Sequence, residues 1–248
     1  MAKIVKELQG NIAILTLTNG VTNAINLELV EELSKNIQEI SKEARGLLLC
    51  GGEKFFSIGF DLPALITMNR AELSDFFYKF NDLALDLYTL PFPSACALAG
   101  HAIAGGNILA LVCDYRFACS EARKTGLNEI RLGLPVPYLA DMILRQIVGD
   151  RAATEMLYGG EFISLTDAAE IGLIDETYPT ERLKAAALEK IAGLATLDAH
   201  AFSAVKTNRF EEIKNNYEKN GRVKNEFFID CWFSEATQKT LLAAARKF

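Results

Sequence analysis

The stretch Leu98–Asp114, LAGHAIAGGNILALVCD, constrains this chain more than any other. A small apolar run from Ser94 to Ala99 reaches Gly100, and His101 to Ala104 leads into Gly105-Gly106. Asn107 to Val112 is then largely apolar and rich in helix formers. The pattern predicts a buried strand, a tight glycine turn and a helix starting at or near the glycine pair. Such a turn lets backbone N–H groups approach a ligand, and the helix dipole behind it favours developing negative charge. The same pattern also suits close packing of a helix on a sheet, so the segment alone leaves both readings open.

Composition narrows the class. Half of the 248 residues are hydrophobic, enough for one large domain or one domain with an appendage. A net charge of −6 argues against nucleic acid as the main partner. A phosphorylated small molecule needs only a few local cations and stays possible. Five scattered cysteines, two histidines and no CxxC pair predict neither a disulfide framework nor a metal site. No apolar run is long enough to span a membrane, and MAKIVKELQG carries no signal-type core, so a cytoplasmic protein is expected.

Along the chain, Ile4–Leu8 and Asn11–Thr18 around Gly10 predict a hairpin. Leu29, Val30, Leu33, Ile37 and Ile40 form a helical stripe over Leu27–Ser41, and Leu47–Cys50 is a fully apolar strand. That order points to a layered α/β fold with partly parallel pairing. EKFFSIGFDL (53–62) reads as a loop turning toward a pocket, with Asp61 or its neighbours starting another element. Leu65–Met68 predicts a helical turn, and Glu72–Leu90 an amphipathic helix ended by Pro91 and Pro93. Tyr115–Cys119 is a strand, 122–138 a loop-rich segment, and the rest almost wholly helical. Helices are expected over Leu139–Val148, Ala152–Tyr158, Leu165–Ile171, Arg182–Leu194 and Asp198–Arg209, with two more over 210–233 and 235–246. Strands stop near residue 195, which suggests a core over 1–195 and a helical region over 196–248 whose apolar faces favour self-association.

Glu129 lies between Leu127, Ile130 and Leu132. A carboxylate in apolar company is a candidate for a raised pKa, which suits a base that must return its proton. The competing reading is a surface residue, or one paired with Arg131 or Arg123. Tyr138, Asp141 and His101 are possible accessory groups, His101 being better suited to packing or capping.

Taken together, FFSIGFDL (55–62), GHAIAGGNILALVCDYRFA (100–118), GLNEIRLGL (126–134) and AAEIGLIDE (168–176) resemble the crotonase, or enoyl-CoA hydratase/isomerase, superfamily. Thr22-Asn23-Ala24 and FSEATQKTLLAA also stand where that family has similar residues. The resemblance implies a spiral core of repeated ββα units and a C-terminal helical region used in packing as a homotrimer or a dimer of trimers. It implies an acyl-CoA thioester as substrate, coenzyme A being part of it, and no separate cofactor or metal. It also implies an oxyanion hole made by the backbone N–H groups of Ile58 and Gly105. An enolate oxygen formed beside a thioester needs donors already aimed at it, an arrangement typically worth a few kcal/mol. Gly59, Phe60, Asp61, Leu62 and Asn128 are the implied substrate contacts, with residues of the 72–90 helix completing the pocket wall.

One departure carries information. Hydratases of the superfamily use two glutamates, and here the first position is Ile108 while the second is Glu129. Paired carboxylates share water activation and protonation, whereas one base can shuttle a proton from C2 to C4 of a 3-enoyl thioester. The resemblance therefore implies the Δ3,Δ2-enoyl-CoA isomerase branch, with Glu129 as the base, Asn128 touching the acyl group and Ile108 keeping water out. Another reaction on the same fold (hydratase, dehalogenase, hydrolase, decarboxylase or C–C cleaving enzyme) and a non-catalytic acyl-CoA-binding homologue are the alternatives.

Overall fold

The computed structural model describes residues 2–246. Strands β1 (Ile4–Gln9) and β2 (Ile12–Leu17) form the expected antiparallel hairpin. Helix α1 (Leu27–Glu43) starts at Asn26, whose side chain accepts from the Leu29 N–H, and buries the five residues of the predicted stripe. Strand β3 (Gly46–Cys50) pairs parallel to β2 and is buried throughout. Next come β4 (Phe55–Ser57), α2 (Leu62–Leu65) and α3 (Arg70–Tyr88). An Asn69/Glu72 capping box begins α3.

The central stretch supplies β5 (Ser94–Leu98), β6 (His101–Ile103) and α4 (Gly105–Leu111). It is followed by β7 (Tyr115–Cys119), β8 (Lys124–Gly126) and a 3-10 turn over Glu129–Leu132. Then α5 (Tyr138–Gly159), β9 (Ile163–Ser164), α6 (Leu165–Glu170), β10 (Glu176–Tyr178) and α7 (Thr180–Ala195) complete the layered part. Helices α8 (Ala199–Trp232) and α9 (Glu235–Ala245) end it.

The strands sort into two sheets, β1-β2-β3-β5-β7-β10 and β4-β6-β8-β9. Each consecutive pair β3/β4, β5/β6 and β7/β8 places its first strand in the large sheet and its second in the small one before a helical segment follows. Both series run parallel. This is the repeated ββα spiral of the crotonase fold. Buried runs such as LLLC in β3 and SACAL in β5 suit strands covered on both faces, and α7 packs across β3, β5 and β7.

Several expectations are corrected. The segments 53–62 and 122–138 each contain a three-residue strand, β4 and β8, too short to leave an alternating pattern. His101–Ile103 is likewise a strand, β6, and not the turn itself. The helices expected over 139–148 and 152–158 are both present, as the two arms of α5 on either side of Gly149, where the backbone leaves the helical region. Those expected over 198–209 and 210–233 are one helix of 34 residues, α8. It packs on α3 and α5, while α9 lies on α2 and the 3-10 turn. Among the described residues, no helix is long and apolar enough to cross a membrane.

Candidate active site

One cavity of about 230 Å³ gathers the residues singled out above. Ile58, Phe60 and Leu62 contribute from the β4–α2 segment, and Ile103, Ala104 and Gly105 from the turn into α4. Asn128, Glu129, Leu132 and Leu134 come from the 3-10 turn, with Phe162 beside them. The remaining wall is Phe228 and Trp232 of α8 and Ala244 of α9.

The chain reaches this geometry by bringing backbone against backbone. A Cβ on Gly106 would stand 2.3 Å from the Ser57 carbonyl oxygen, so α4 can lie on β4 only because that position is glycine. A Cβ on Gly59, whose φ is +92°, would meet the Ile103 carbonyl at 2.8 Å and the Gly105 nitrogen at 3.0 Å. Of the two readings left open in the sequence, Gly106 shows the close packing of helix on sheet. The residue that carries positive φ in the turn is Ala104, at +48°, its N–H held by the Gly126 carbonyl at 2.8 Å. An L-residue held there costs of order 1–3 kcal/mol, a strain the surrounding backbone must impose.

The two expected oxyanion donors fare differently. Gly105 opens α4, and no carbonyl among the described residues takes its N–H. The Ile58 N–H is already donated to the Thr22 carbonyl at 3.0 Å, which corrects the expectation that it serves as a donor. Two residues on, Phe60 sits in a bridge to Ile25 in which Ile25 donates to Gly59 and Asp61 donates to Ile25. That pattern leaves the Phe60 N–H without an acceptor among the described residues. The free donors are thus Phe60 and Gly105, and the two residues meet closely. A Cβ on Gly105 would lie 3.1 Å from the Phe60 ring.

Asn23, quoted in the sequence only as part of a short motif, fixes this segment. Buried and at φ +46°, it donates from Nδ2 to the Phe56 carbonyl at 3.1 Å and accepts the Ser57 hydroxyl on its own carbonyl at 2.7 Å. Ser57 Oγ in turn accepts the Gly59 N–H at 3.2 Å.

Glu129 is 6 % exposed, and its Oε2 has no hydrogen-bond partner. Burial pushes its carboxyl up to about 7, opposed only by its own backbone N–H, which favours the ionised form. Arg131 pairs instead with Glu161 and the Gly159 carbonyl, and Arg123 with the Glu53 carbonyl, so the surface-pair reading of Glu129 fails.

Gly59 and Asp61 lie beside the cavity and not on its wall. Gly59 makes the close approach possible, and Asp61 caps α2 by accepting the Ala64 N–H. Ile108 is buried along α4 and does not reach the wall. Helix α3 stands one layer back, where Phe76, Phe77 and Phe80 pack edge-on around the Phe60 ring. His101 packs at a tilt against the Phe55 ring and accepts the Lys124 N–H at Nδ1, a packing role. Tyr138 and Asp141 border a neighbouring cavity. Phe228, Trp232 and Ala244 were not foreseen as site residues. Trp232 is the only tryptophan, and its place in the apolar run FFIDCWF (227–233) was the one signal the sequence offered.

A sequence profile described as Enoyl-CoA hydratase/isomerase matches residues 7–247. The chain is 28% identical over 240 residues to the rat mitochondrial enoyl-CoA delta isomerase 1, covering 95% of this chain and 83% of that protein. It is also 28% identical over 243 residues to a probable enoyl-CoA hydratase of Bacillus subtilis, covering 95% and 93%. The crystal structure of human mitochondrial delta3-delta2-enoyl-CoA isomerase superposes with a TM-score of 0.95 at 25% identity, covering 99% of this chain and 98% of that one.

Proposed function

The chain belongs to the enoyl-CoA hydratase/isomerase family, and on that premise we propose that it is a Δ3,Δ2-enoyl-CoA isomerase working with a single carboxylate. The observation that carries this reading is the wall itself. Glu129 is the only ionisable side chain among the lining residues, and apart from Asn128 and the Trp232 indole N–H its surroundings are apolar side chains and backbone.

In the proposed reaction the thioester oxygen of a 3-enoyl-CoA accepts the N–H groups of Phe60 and Gly105. Ionised Glu129 removes a C2 proton, the C2–H electrons enter the conjugated dienolate, and the negative charge rests on the oxygen between those donors. The same carboxyl then delivers its proton to C4, the C3=C4 double bond becomes C2=C3, and Glu129 is ionised again. Composition is unchanged and nothing else is consumed. A base held near pH 7 is basic enough to take the proton and acidic enough to return it. Apolar walls keep water from competing for the dienolate.

The test presents purified protein with a trans-3-enoyl-CoA and, separately, a trans-2-enoyl-CoA, followed by absorbance of the conjugated thioester and by mass. Conjugation without mass change from the first and no water adduct from the second is the expected result. Glu129→Gln should cut the rate by about 10²- to 10⁴-fold. A water adduct would favour the hydratase reading that the Bacillus relative shares, and near-full activity in the variant would remove Glu129 from the mechanism.

A further inference from the structure

The cavity is made from two segments far apart in sequence, the donor loop that runs into α2 and the 3-10 turn that begins with Glu129. One short helix touches both, since α9 packs on α2 and on the 3-10 turn. Its residues Thr237, Leu241 and Ala244 recur at helical spacing on one face. Leu241 is fully buried and Ala244 lies on the cavity wall. Thr237 is buried, and its hydroxyl donates to the Gly133 carbonyl at 3.1 Å, across 104 residues of sequence.

Gly133 closes the turn that carries the base. It sits in the left-handed region at φ +81°, its N–H bonds to the Ile130 carbonyl, and the Leu134 N–H bonds to the Glu129 carbonyl. A Cβ at Gly133 would stand 2.6 Å from Thr237 Oγ1, so the helix seats on the turn only because that residue is glycine. On its outer side the turn is tied by Arg131 to the Gly159 carbonyl and to Glu161. On the α9 side the link is Thr237.

We propose that α9 clamps the base-bearing turn against the donor loop, and that Thr237 is the positioning residue through which it sets the distance between Glu129 and the Phe60 and Gly105 donors. Thr237 touches no reacting atom. It acts through the Gly133 carbonyl, and its loss lets the turn drift while the apolar wall, and with it substrate binding, persists.

The inference rests on the isomerase reading for its kinetic arm, and a second arm is independent of that reading. Full-length Thr237→Val and Thr237→Ser are compared with the parent protein in 3-enoyl-CoA kinetics and in amide hydrogen exchange over 129–134. T237V should lower kcat about tenfold with KM within about twofold, as a small misplacement of a catalytic group does. It should also speed exchange over 129–134. T237S, which keeps the hydroxyl, should match the parent in both arms. Should T237V fail to fold, Thr237→Ala removes the same hydroxyl without added bulk and takes its place. Parental kcat in T237V, or an equal loss in T237S, overturns the proposal. If the parent protein itself proves inactive on 3-enoyl-CoA, the isomerase reading fails and exchange alone decides. Faster exchange in T237V but not in T237S upholds the clamp, and unchanged exchange removes it.

Discussion

Replacing Glu129 by glutamine should abolish a loss of stability that the parent protein suffers as the pH rises, while disabling the protein. The carboxyl is moved from an ordinary 4.5 to about 7 by burial. Holding it ionised in the folded state therefore costs about 3 kcal/mol relative to the unfolded chain. The sign follows from proton binding. The folded protein holds this proton more tightly than the unfolded chain, so the penalty is absent below pH 4.5, grows between 4.5 and 7, and is complete above 7. Glutamine keeps the shape and removes the titration, and any cost of burying its amide is the same at every pH. Urea unfolding of parent and variant at pH 5 and pH 8.5 reads the difference. Relative to E129Q, the parent should lose about 2.5 kcal/mol across that interval. All other titrating groups are common to both proteins and cancel. If the two stability curves run parallel from pH 5 to pH 8.5, Glu129 is not desolvated as described and the argument for a poised base falls with it. Agreement would place the cost of the function at one side chain, where activity and stability pull apart.

Other outcomes follow from the same geometry. The parent's kcat/KM should rise with pH along a single limb near 7 as Glu129 ionises in the free protein, and a flat profile from pH 5.5 to 8.5 would contradict the single-base scheme. Gly59→Ala should abolish turnover, because its Cβ meets the Ile103 carbonyl at 2.8 Å and the Gly105 nitrogen at 3.0 Å; isomerase assays showing parental kcat would refute the close-approach account. Lys206, 5 % exposed, bonds Asp114 at 2.6 Å and the Phe92 carbonyl at 3.0 Å. Lys206→Ala should cost about 3 kcal/mol in urea unfolding, the low end for a broken buried pair because the Asp114 side chain is 19 % exposed, with little change in KM. Phe228→Ala removes a ring stacked on Phe77 with centroids 4.0 Å apart and on the cavity wall. It should cost about 3–5 kcal/mol and relax discrimination against bulkier acyl groups, measured as the ratio of kcat/KM values for branched and unbranched substrates.

What the sequence made legible was whatever a local pattern could carry. The α1 stripe appears residue for residue, because an amphipathic helix on a sheet writes its buried face at fixed spacing. The Gly105-Gly106 turn and the apolar setting of Glu129 were equally local. The short strands β4, β6 and β8 were not, since three residues in a sheet gain their order from neighbours and leave no period of their own. Helix α8 was divided because its polar middle obscures a run that packing on α3 and α5 holds together. The choice between Ile58 and Phe60 as donor depended on which N–H the Thr22 carbonyl had already engaged, a fact of tertiary pairing. Phe228, Trp232 and Ala244 reach the site only through the fold-back of the last two helices.

That fold-back has a consequence for biosynthesis. Both sheets can assemble as the chain leaves the ribosome, yet Phe60 and Leu62 remain without their opposite wall until Trp232 and Ala244 have been made. A nascent protein whose sheets had formed before those helices would hold an oily cleft open to the cell, the kind of surface that draws chaperones or self-association. Any ligand that binds only the closed cavity would favour the finished state by mass action.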